Sequence, residues 1–172
     1  MNRSDPHVLI LGAGHAGGTA AALLRQYGFE GSITLVGEEP IAPYHRPPLS
    51  KAWLRDGPGA VSLPLKPAEF YAGHGIDFRP GVRAEKLARR AKAVTLSTGE
   101  VLTYDCLIIA TGARPIKLPV AGSDLAGVLE LRTVADAERL RAVIRSGQRL
   151  AVIGGGYIGL EVAASARALG AE

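Results

Sequence analysis

Apolar and polar positions follow one another in an order that predicts strand, turn and helix twice. The run Val8–Leu11 is apolar throughout and ends at the glycine-rich segment Gly12–Gly17, from which an alanine-rich helical stretch leads to Gln26. The run Leu150–Ile153 ends in the same way at Gly154–Gly159. A strand that is apolar at every position is typical of a parallel sheet buried on both faces. The pattern therefore predicts two strand–turn–helix units.

Further strands, short helices and a linker separate the two units. The first helix is expected over His15–Gln26, ending near Gly28. The remaining strands are expected at Ile33–Val36, Ile76–Phe78, Val82–Leu87, Ala93–Ser97, Val101–Thr103 and Cys106–Ala110, the last of them buried, with a tight turn at residues 98–100. Short helices are expected over Leu49–Arg55 and Pro67–Tyr71, with residues 37–48 as a loop.

The second half of the chain carries a clear helix start signal. Residues 113–127 hold two prolines and two glycines and are interpreted as a linker. Thr133 and Asp136 have the spacing of a capping box, which predicts a helix over Val134–Arg145 that ends at Gly147.

Each glycine-rich turn has the residues that a dinucleotide site needs. Gly12 permits the tight turn, Gly14 lets the backbone approach a pyrophosphate, and Gly17 lets the helix pack closely on the strand. The start of the helix adds free N–H groups and partial positive charge, which favour phosphate. Two such turns in one chain indicate two nucleotides, with hydride or electron transfer between them.

An acid after the second strand is the expected ribose ligand. Glu38 lies 21 residues after Gly17, close to the usual spacing, and Glu39 is the neighbouring candidate. An ordinary polar loop is the alternative interpretation of both. The second turn has no corresponding acid in the sequence, so the choice between NADH and NADPH stays open.

Composition restricts the classes of protein to which the chain can belong. No apolar run reaches the length of a membrane span, and the first one is too short for a signal peptide. The single cysteine, Cys106, excludes an internal disulfide and is expected to be a small buried hydrophobe. His7, His45 and His74 do not have the spacing of metal ligands, so no metal is predicted. We expect a cytoplasmic protein.

The net charge of +4 is concentrated in one stretch. Within that stretch only Glu85 opposes the cations, and no aromatic residues interleave with them, so nucleic acid is not an expected partner. A solvated sheet edge and a docking patch for an acidic partner are the two open interpretations. The cations are Arg79, Arg83, Lys86, Arg89, Arg90 and Lys92.

Several blocks together resemble one family. They are Tyr44–Lys51, Thr103–Asp105 with Leu107–Pro115, Leu131–Thr133 and Gly154–Glu161. These resemble the FAD-dependent pyridine nucleotide-disulfide oxidoreductase superfamily, in the branch of ferredoxin reductases of rubredoxin and putidaredoxin type. The resemblance covers essentially the whole chain, which is identified as an N-terminal fragment of such a protein.

The resemblance implies an α/β fold. We expect a three-layer, Rossmann-like FAD/NAD(P)-binding domain with a small antiparallel β-meander, followed by the truncated start of a second Rossmann-like NAD(P) domain. The expected boundaries are residues 1–117 for the first segment of the FAD domain, 118–147 for a linker and helix, and 148–172 for the first βα unit of the NAD(P) domain.

The resemblance also implies two sets of cofactor contacts. Those expected for FAD are Gly12, Gly14, His15, Ala16, Gly17, Glu38, Glu39, Arg46, Lys51, Ala84, Thr111, Gly112 and Arg132. Those expected for NAD(P)H are Gly154, Gly156, Tyr157, Ile158, Gly159 and Glu161.

The implied activity is electron transfer from NAD(P)H through FAD to a 2Fe-2S ferredoxin or rubredoxin-type acceptor. Lys51 is expected to stabilise negative charge on the reduced flavin, and Glu161 to pair with Lys51. No cysteine pair follows the second strand, so thiol chemistry at the flavin is excluded. Open alternatives are an NADH oxidase, a nitrite-reductase flavin module, and an inactive FAD-binding fragment or a protein like apoptosis-inducing factor. We expect the 172 residues alone not to turn over.

Overall fold

A computed structural model describes residues 5–172. The chain forms two compact units that alternate along the sequence: Met1–His45 with Pro64–Gly112, and Arg46–Leu63 with Ala113–Glu172. Among residues 5–172, none of the helices combines the length and apolar character that crossing a bilayer requires.

The first unit is built on a four-stranded sheet in which all neighbouring strands are parallel. Its four strands are β1 (His7–Leu11), β2 (Ser32–Gly37), β3 (Ile76–Pro80) and β7 (Cys106–Ile109). They lie in the order β3-β2-β1-β7, so β1 has a neighbouring strand on each side. Helices α1 (His15–Gln26) and α3 (Ala68–Gly73) belong to the same unit.

Alternate side chains of β1 face two different clusters. Val8 and Ile10 pack in a buried cluster with residues of α1, β2, α3 and β3. Leu9 and Leu11 pack in a second cluster with Val94 of a separate antiparallel sheet. Because both faces of β1 are covered, its four positions from Val8 to Leu11 are all apolar and buried. The predicted three-layer arrangement with a β-meander is confirmed; the meander consists of β4 (Ala84–Ala88), β5 (Ala93–Leu96) and β6 (Val101–Thr103).

Cys106–Ala110 was predicted to form a buried strand. The strand is present, but the predicted burial is wrong. Strand β7 forms and pairs with β1, but Cys106 is exposed and Ile109 is 62% exposed. The strand is the edge of the sheet. An apolar edge strand looks the same in sequence as a central one, so the pattern could not distinguish them.

The second unit is helical. A 3₁₀ turn (Pro47–Ser50) leads into α2 (Ala52–Asp56), where one continuous helix was predicted. Helices α4 (Val134–Val143) and α5 (Tyr157–Ala168) complete the unit. Leu54 of α2 is fully buried against α4 and α5, and Trp53 beside it is 3% exposed.

The strand predicted at Leu150–Ile153 is not formed. Residues 147–150 instead exchange backbone hydrogen bonds with residues 170–172, and residues 151–153 adopt no regular structure. A strand exists only by pairing with a neighbour, and no strand of the described second unit lies beside these residues. An apolar run alone therefore does not establish a strand.

The predicted capping box is present at α4. The Thr133 hydroxyl accepts from the Asp136 backbone N–H, and the Asp136 carboxylate accepts from the Thr133 N–H at 2.8 Å. The helix ends at Val143, with Ile144 rather than Gly147 in the capping position.

Candidate nucleotide-binding sites

The first glycine turn has the geometry expected of a phosphate-binding turn. Gly12 adopts a φ of +105°, and a Cβ added there would lie 2.2 Å from the Ala110 carbonyl oxygen. A Cβ on Gly17 would lie 1.8 Å from the Gly12 carbonyl oxygen, so α1 lies directly on the turn. At Gly14 a Cβ would meet no atom within 4 Å. Of these three glycines, Gly14 is the one that leaves open space for a ligand.

The start of α1 is available to an anion. No side chain caps the helix, and its first turn contains no acidic residue. His15 and Ala16, the first two helical residues, are exposed. Since unpaired N–H groups at a helix start attract negative charge, this turn fits a pyrophosphate.

The second glycine turn repeats the backbone of the first. Gly154 has a φ of +101°, and Gly156 precedes α5 with φ −75° and ψ 167°. Gly14 holds the same place before α1 with φ −81° and ψ −166°. Gly156 is open on its Cβ side, while a Cβ on Gly159 would lie 3.1 Å from the Gly154 carbonyl oxygen. The turn therefore forms even though the preceding strand does not.

The two candidate acids have different surroundings. Glu38 directly follows the end of β2, as predicted. Its Oε1 lies 3.6 Å from the Arg83 Nη1, and its side chain is largely exposed. Glu39 accepts a hydrogen bond from the Tyr44 hydroxyl at 2.6 Å. Glu38 is thus the more accessible of the two for a ribose.

Other predicted FAD contacts lie in the first unit. Ala84 begins β4 and is half-buried, and Thr111 and Gly112 are exposed after β7. The His15 and His45 rings have centroids 5.2 Å apart. This histidine pair was not predicted, because the two residues are 30 positions apart in the sequence.

In the second unit, most of the remaining predicted contacts line one cleft of about 250 Å³. Gly156 and Gly159 flank the lining residues Tyr157 and Ile158 in the sequence. Tyr157 is 87% exposed. The predicted residues in the lining are Arg46, Lys51, Arg132, Tyr157, Ile158 and Glu161.

Lys51 and Glu161 form the predicted ion pair. The Lys51 Nζ lies 2.8 Å from the Glu161 Oε1. The pKa of Glu161 is lowered, first by its hydrogen bond with Lys51 and then by one from Ser50. Glu161 is therefore held as a carboxylate, and Lys51 keeps a neighbouring counter-charge.

Sequence reasoning missed Ser50. Its hydroxyl donates to the Glu161 Oε2 at 2.5 Å, and its backbone carbonyl accepts from the Ser165 hydroxyl at 2.7 Å. Ser50 is 5% exposed. The only available signal was its place beside Lys51.

The Arg46 guanidinium is held by a backbone carbonyl group. Its Nη1 donates to the Arg132 carbonyl at 2.5 Å, and the Arg132 N–H donates to the Asp136 carboxylate. The capping box of α4 therefore positions Arg132, which in turn holds Arg46 in the cleft.

Acids inside and outside the basic stretch neutralise part of its positive charge. Arg79 pairs with Asp77 at 2.8 Å and lies 3.5 Å from Glu100. Arg83 pairs with Glu85 at 2.9 Å as well as with Glu38. The charge excess seen in the sequence is therefore smaller on the folded surface.

Comparison with known proteins places the chain in a family. The model for "Pyridine nucleotide-disulphide oxidoreductase" matches residues 6–172. The protein therefore belongs to the pyridine nucleotide-disulphide oxidoreductase family, as the sequence predicted.

Two similar proteins are named as reductases. The chain is 49% identical to "Probable ferredoxin reductase CtmF" of Castellaniella defragrans, over 99% of this chain and 41% of that protein. It is 48% identical to rhodocoxin reductase of Rhodococcus erythropolis, over 96% of this chain and 39% of that protein. The chain thus spans about two-fifths of the length of these relatives.

A solved structure agrees in fold. The covalent putidaredoxin reductase–putidaredoxin complex contains a chain that is 44% identical, with a TM-score of 0.87, over 96% of this chain and 41% of that one. The α/β, Rossmann-like architecture is therefore shared with a chain of that complex.

Proposed function

We propose that the protein is a FAD-dependent oxidoreductase that transfers electrons from NAD(P)H through FAD to a ferredoxin-type iron–sulfur protein. The observation that carries the proposal is the pair of glycine turns with the same backbone geometry in one chain. The relatives named as ferredoxin and rhodocoxin reductases support the choice of electron acceptor.

The first turn is the proposed site of the FAD pyrophosphate. Gly14 leaves open space, and α1 begins without a side-chain cap. Glu38 would accept a hydrogen bond from a ribose hydroxyl. The other proposed contacts are Gly12, His15, Ala16, Gly17, Glu39, Ala84, Thr111 and Gly112.

The second unit supplies the remaining roles. Gly154, Gly156 and Gly159 would hold the NAD(P)H pyrophosphate, with Tyr157 and Ile158 at the helix start. Arg46 and Arg132 would contact FAD. The domain boundaries at residues 117 and 147 are part of the same proposal, as is a cytoplasmic location, which the single cysteine favours.

FAD, when bound, accepts a hydride and releases electrons one at a time. Lys51 would present a fixed positive charge where negative charge develops, and such preorganised charge stabilises that state. Glu161 would hold the ammonium group of Lys51 in place through their 2.8 Å contact. The Arg46 guanidinium, fixed by the Arg132 carbonyl, adds a second oriented cation.

The test is a spectrum of the protein expressed from its complete reading frame. We expect a bound flavin with visible absorbance that NADH or NADPH bleaches without oxygen, and that a ferredoxin or rubredoxin then restores. Parallel titrations with the two nucleotides identify the donor. A colourless protein, after incubation with excess FAD, would contradict the proposal.

The acceptor distinguishes the alternative enzymes. Reoxidation by the iron–sulfur protein should be much faster than reoxidation by air. If oxygen reoxidises the flavin rapidly and iron–sulfur proteins add nothing, the protein is an NADH oxidase and the proposed acceptor is wrong.

A further inference from the structure

The Glu161 carboxylate is held at both oxygens by consecutive residues. Its Oε1 contacts the Lys51 Nζ at 2.8 Å, and its Oε2 accepts from the Ser50 hydroxyl at 2.5 Å. The two contacts differ in burial: the Lys51 side chain is 51% exposed, whereas Ser50 is 5% exposed. The hydroxyl contact is therefore the better protected of the two.

An exposed ion pair does not fix its own geometry. Lysine and glutamate side chains are long, and an exposed pair gains little net energy for the rotamer freedom it gives up. A short hydrogen bond from a buried, rigid donor to an ionised oxygen is stronger and directional. Ser50 is therefore the group able to orient the carboxylate.

Ser50 has one hydroxyl proton and two candidate acceptors. The Pro47 carbonyl is 3.4 Å away, against 2.5 Å for the Glu161 Oε2, so the proton is directed at the carboxylate. The position of Ser50 itself is fixed, because the buried Ser165 hydroxyl donates to its carbonyl at 2.7 Å. Ser165 lies one turn after Glu161 in α5. The helix therefore makes two hydrogen bonds with Ser50 of the 3₁₀ turn, one through each of these residues.

We infer that Ser50 is a positioning residue that holds the Glu161 carboxylate so that its other oxygen faces Lys51. The inference rests on the proposed function for the role of Lys51, and extends it to a buried residue that carries no charge. Without the Ser50 hydroxyl, the carboxylate is free to rotate and the Lys51 ammonium loses its fixed partner.

The lowered pKa of Glu161 provides a readout that needs no flavin. Hydrogen bonds from Lys51 and Ser50 lower it, so loss of either should raise it. The other charged or titratable groups of the cleft are Arg46, Arg132 and Tyr157, and all variants below leave them in place.

The experiment titrates the Glu161 carboxyl carbon by NMR in the complete protein labelled at glutamate, with Glu161→Gln to assign the signal. We expect Ser50→Ala to raise the Glu161 pKa towards the ordinary glutamate value. Ser50→Cys preserves the buried volume but donates weakly, so it should raise the pKa as well even if the alanine variant folds poorly. Lys51→Met is the positive control.

Ser165→Ala is the matched control. It removes a buried hydroxyl that holds the Ser50 backbone but leaves the Ser50 hydroxyl on the carboxylate, so it should lower stability and raise the Glu161 pKa less than Ser50→Ala does. An unchanged pKa in both Ser50 variants would overturn the inference, and so would an equal rise in Ser165→Ala. The titration needs no bound flavin, so a protein that fails the spectral test still gives a separate answer here.

Discussion

The Tyr71 hydroxyl is a buried polar group without a hydrogen-bond partner within residues 5–172. Tyr71 is 1% exposed and packs against the central strands of the first unit. A buried hydroxyl that makes no hydrogen bond costs about 1–3 kcal/mol of desolvation. The ring of Tyr71 therefore stabilises the folded state by apolar packing, whereas its unpaired hydroxyl lowers the free energy of unfolding.

We predict that Tyr71→Phe raises the free energy of unfolding by about 1 kcal/mol, because it removes the penalty and keeps the ring. Denaturant unfolding measures the change. Tyr27→Phe is the control, since Tyr27 is 80% exposed and its hydroxyl is solvated; it should change stability by less than about 0.5 kcal/mol. Clear destabilisation by Tyr71→Phe would mean that the hydroxyl has a partner.

The same residue predicts a pH dependence. Burial raises the pKa of Tyr71, so the folded state disfavours the phenolate. The contribution of the Tyr71 hydroxyl to stability is fully present below about pH 10, the pKa of tyrosine in the unfolded chain. It is lost as the pH rises above that value. Wild type should therefore lose stability from about pH 10 upward more steeply than Tyr71→Phe. Equal slopes in alkaline unfolding curves would contradict this.

At the scale of elements, the start of α4 depends on its capping box. Burial alone would raise the pKa of Asp136, but hydrogen bonds lower it overall, first those of the Thr133 backbone and side chain and then those of the Arg139 side chain and the Arg132 backbone. Stability from a lowered carboxyl pKa is present above the unfolded pKa of about 4 and is lost as the pH falls through the folded value.

We predict that Thr133→Ala lowers the free energy of unfolding by about 1 kcal/mol at neutral pH, whereas Thr133→Ser, which keeps the cap, has little effect. The difference between the two variants should shrink under acid conditions, as Asp136 becomes protonated. Unfolding curves at neutral and acid pH measure both. A difference that grows in acid would contradict this account of the cap.

The glycines at which α1 and α5 pack on their glycine turns should respond differently to the same substitution. Gly17→Ala would place a methyl group 1.8 Å from a backbone oxygen, whereas the nearest atoms at Gly159 are 3.1 Å away. We predict that Gly17→Ala costs about 3 kcal/mol or prevents folding, and that Gly159→Ala costs about 1 kcal/mol. Soluble yield and melting temperature measure the pair. Equal losses would show that α1 is not tightly packed on its turn.

How much the sequence predicted also depends on the element. Helix α1, the glycine turns and the Thr133 capping box are set by neighbours within a few residues, so local pattern was sufficient. The buried state of Cys106 and the strand at Leu150–Ile153 depended on what lies beside them in space. An apolar run carries no information on whether a neighbouring strand is present, and both predictions failed for that reason.

At the scale of the molecule, the candidate sites combine local turns with distant contacts. The resemblance predicted Lys51 with Glu161, which are 110 positions apart. Ser50, Ser165 and the His15–His45 pair were not predicted. Their contacts depend on which segments of the chain lie side by side in the fold, and a single sequence does not show this.

The proposed function requires that each glycine turn binds its own nucleotide. Gly14 and Gly156 both have open space where a Cβ would lie and backbone angles that alanine adopts freely. Alanine at either position should therefore fold normally while its methyl group occupies the space proposed for a pyrophosphate. The two substitutions separate the two sites without a change of fold.

The most direct test measures flavin content and the rate of flavin reduction by NAD(P)H in these two variants of the complete protein. We predict that Gly14→Ala loses bound FAD, and that Gly156→Ala retains FAD but needs at least about tenfold more NAD(P)H for half-maximal reduction, a loss of about 1.4 kcal/mol. Full flavin content in Gly14→Ala, or an unchanged nucleotide requirement in Gly156→Ala, would contradict the claim.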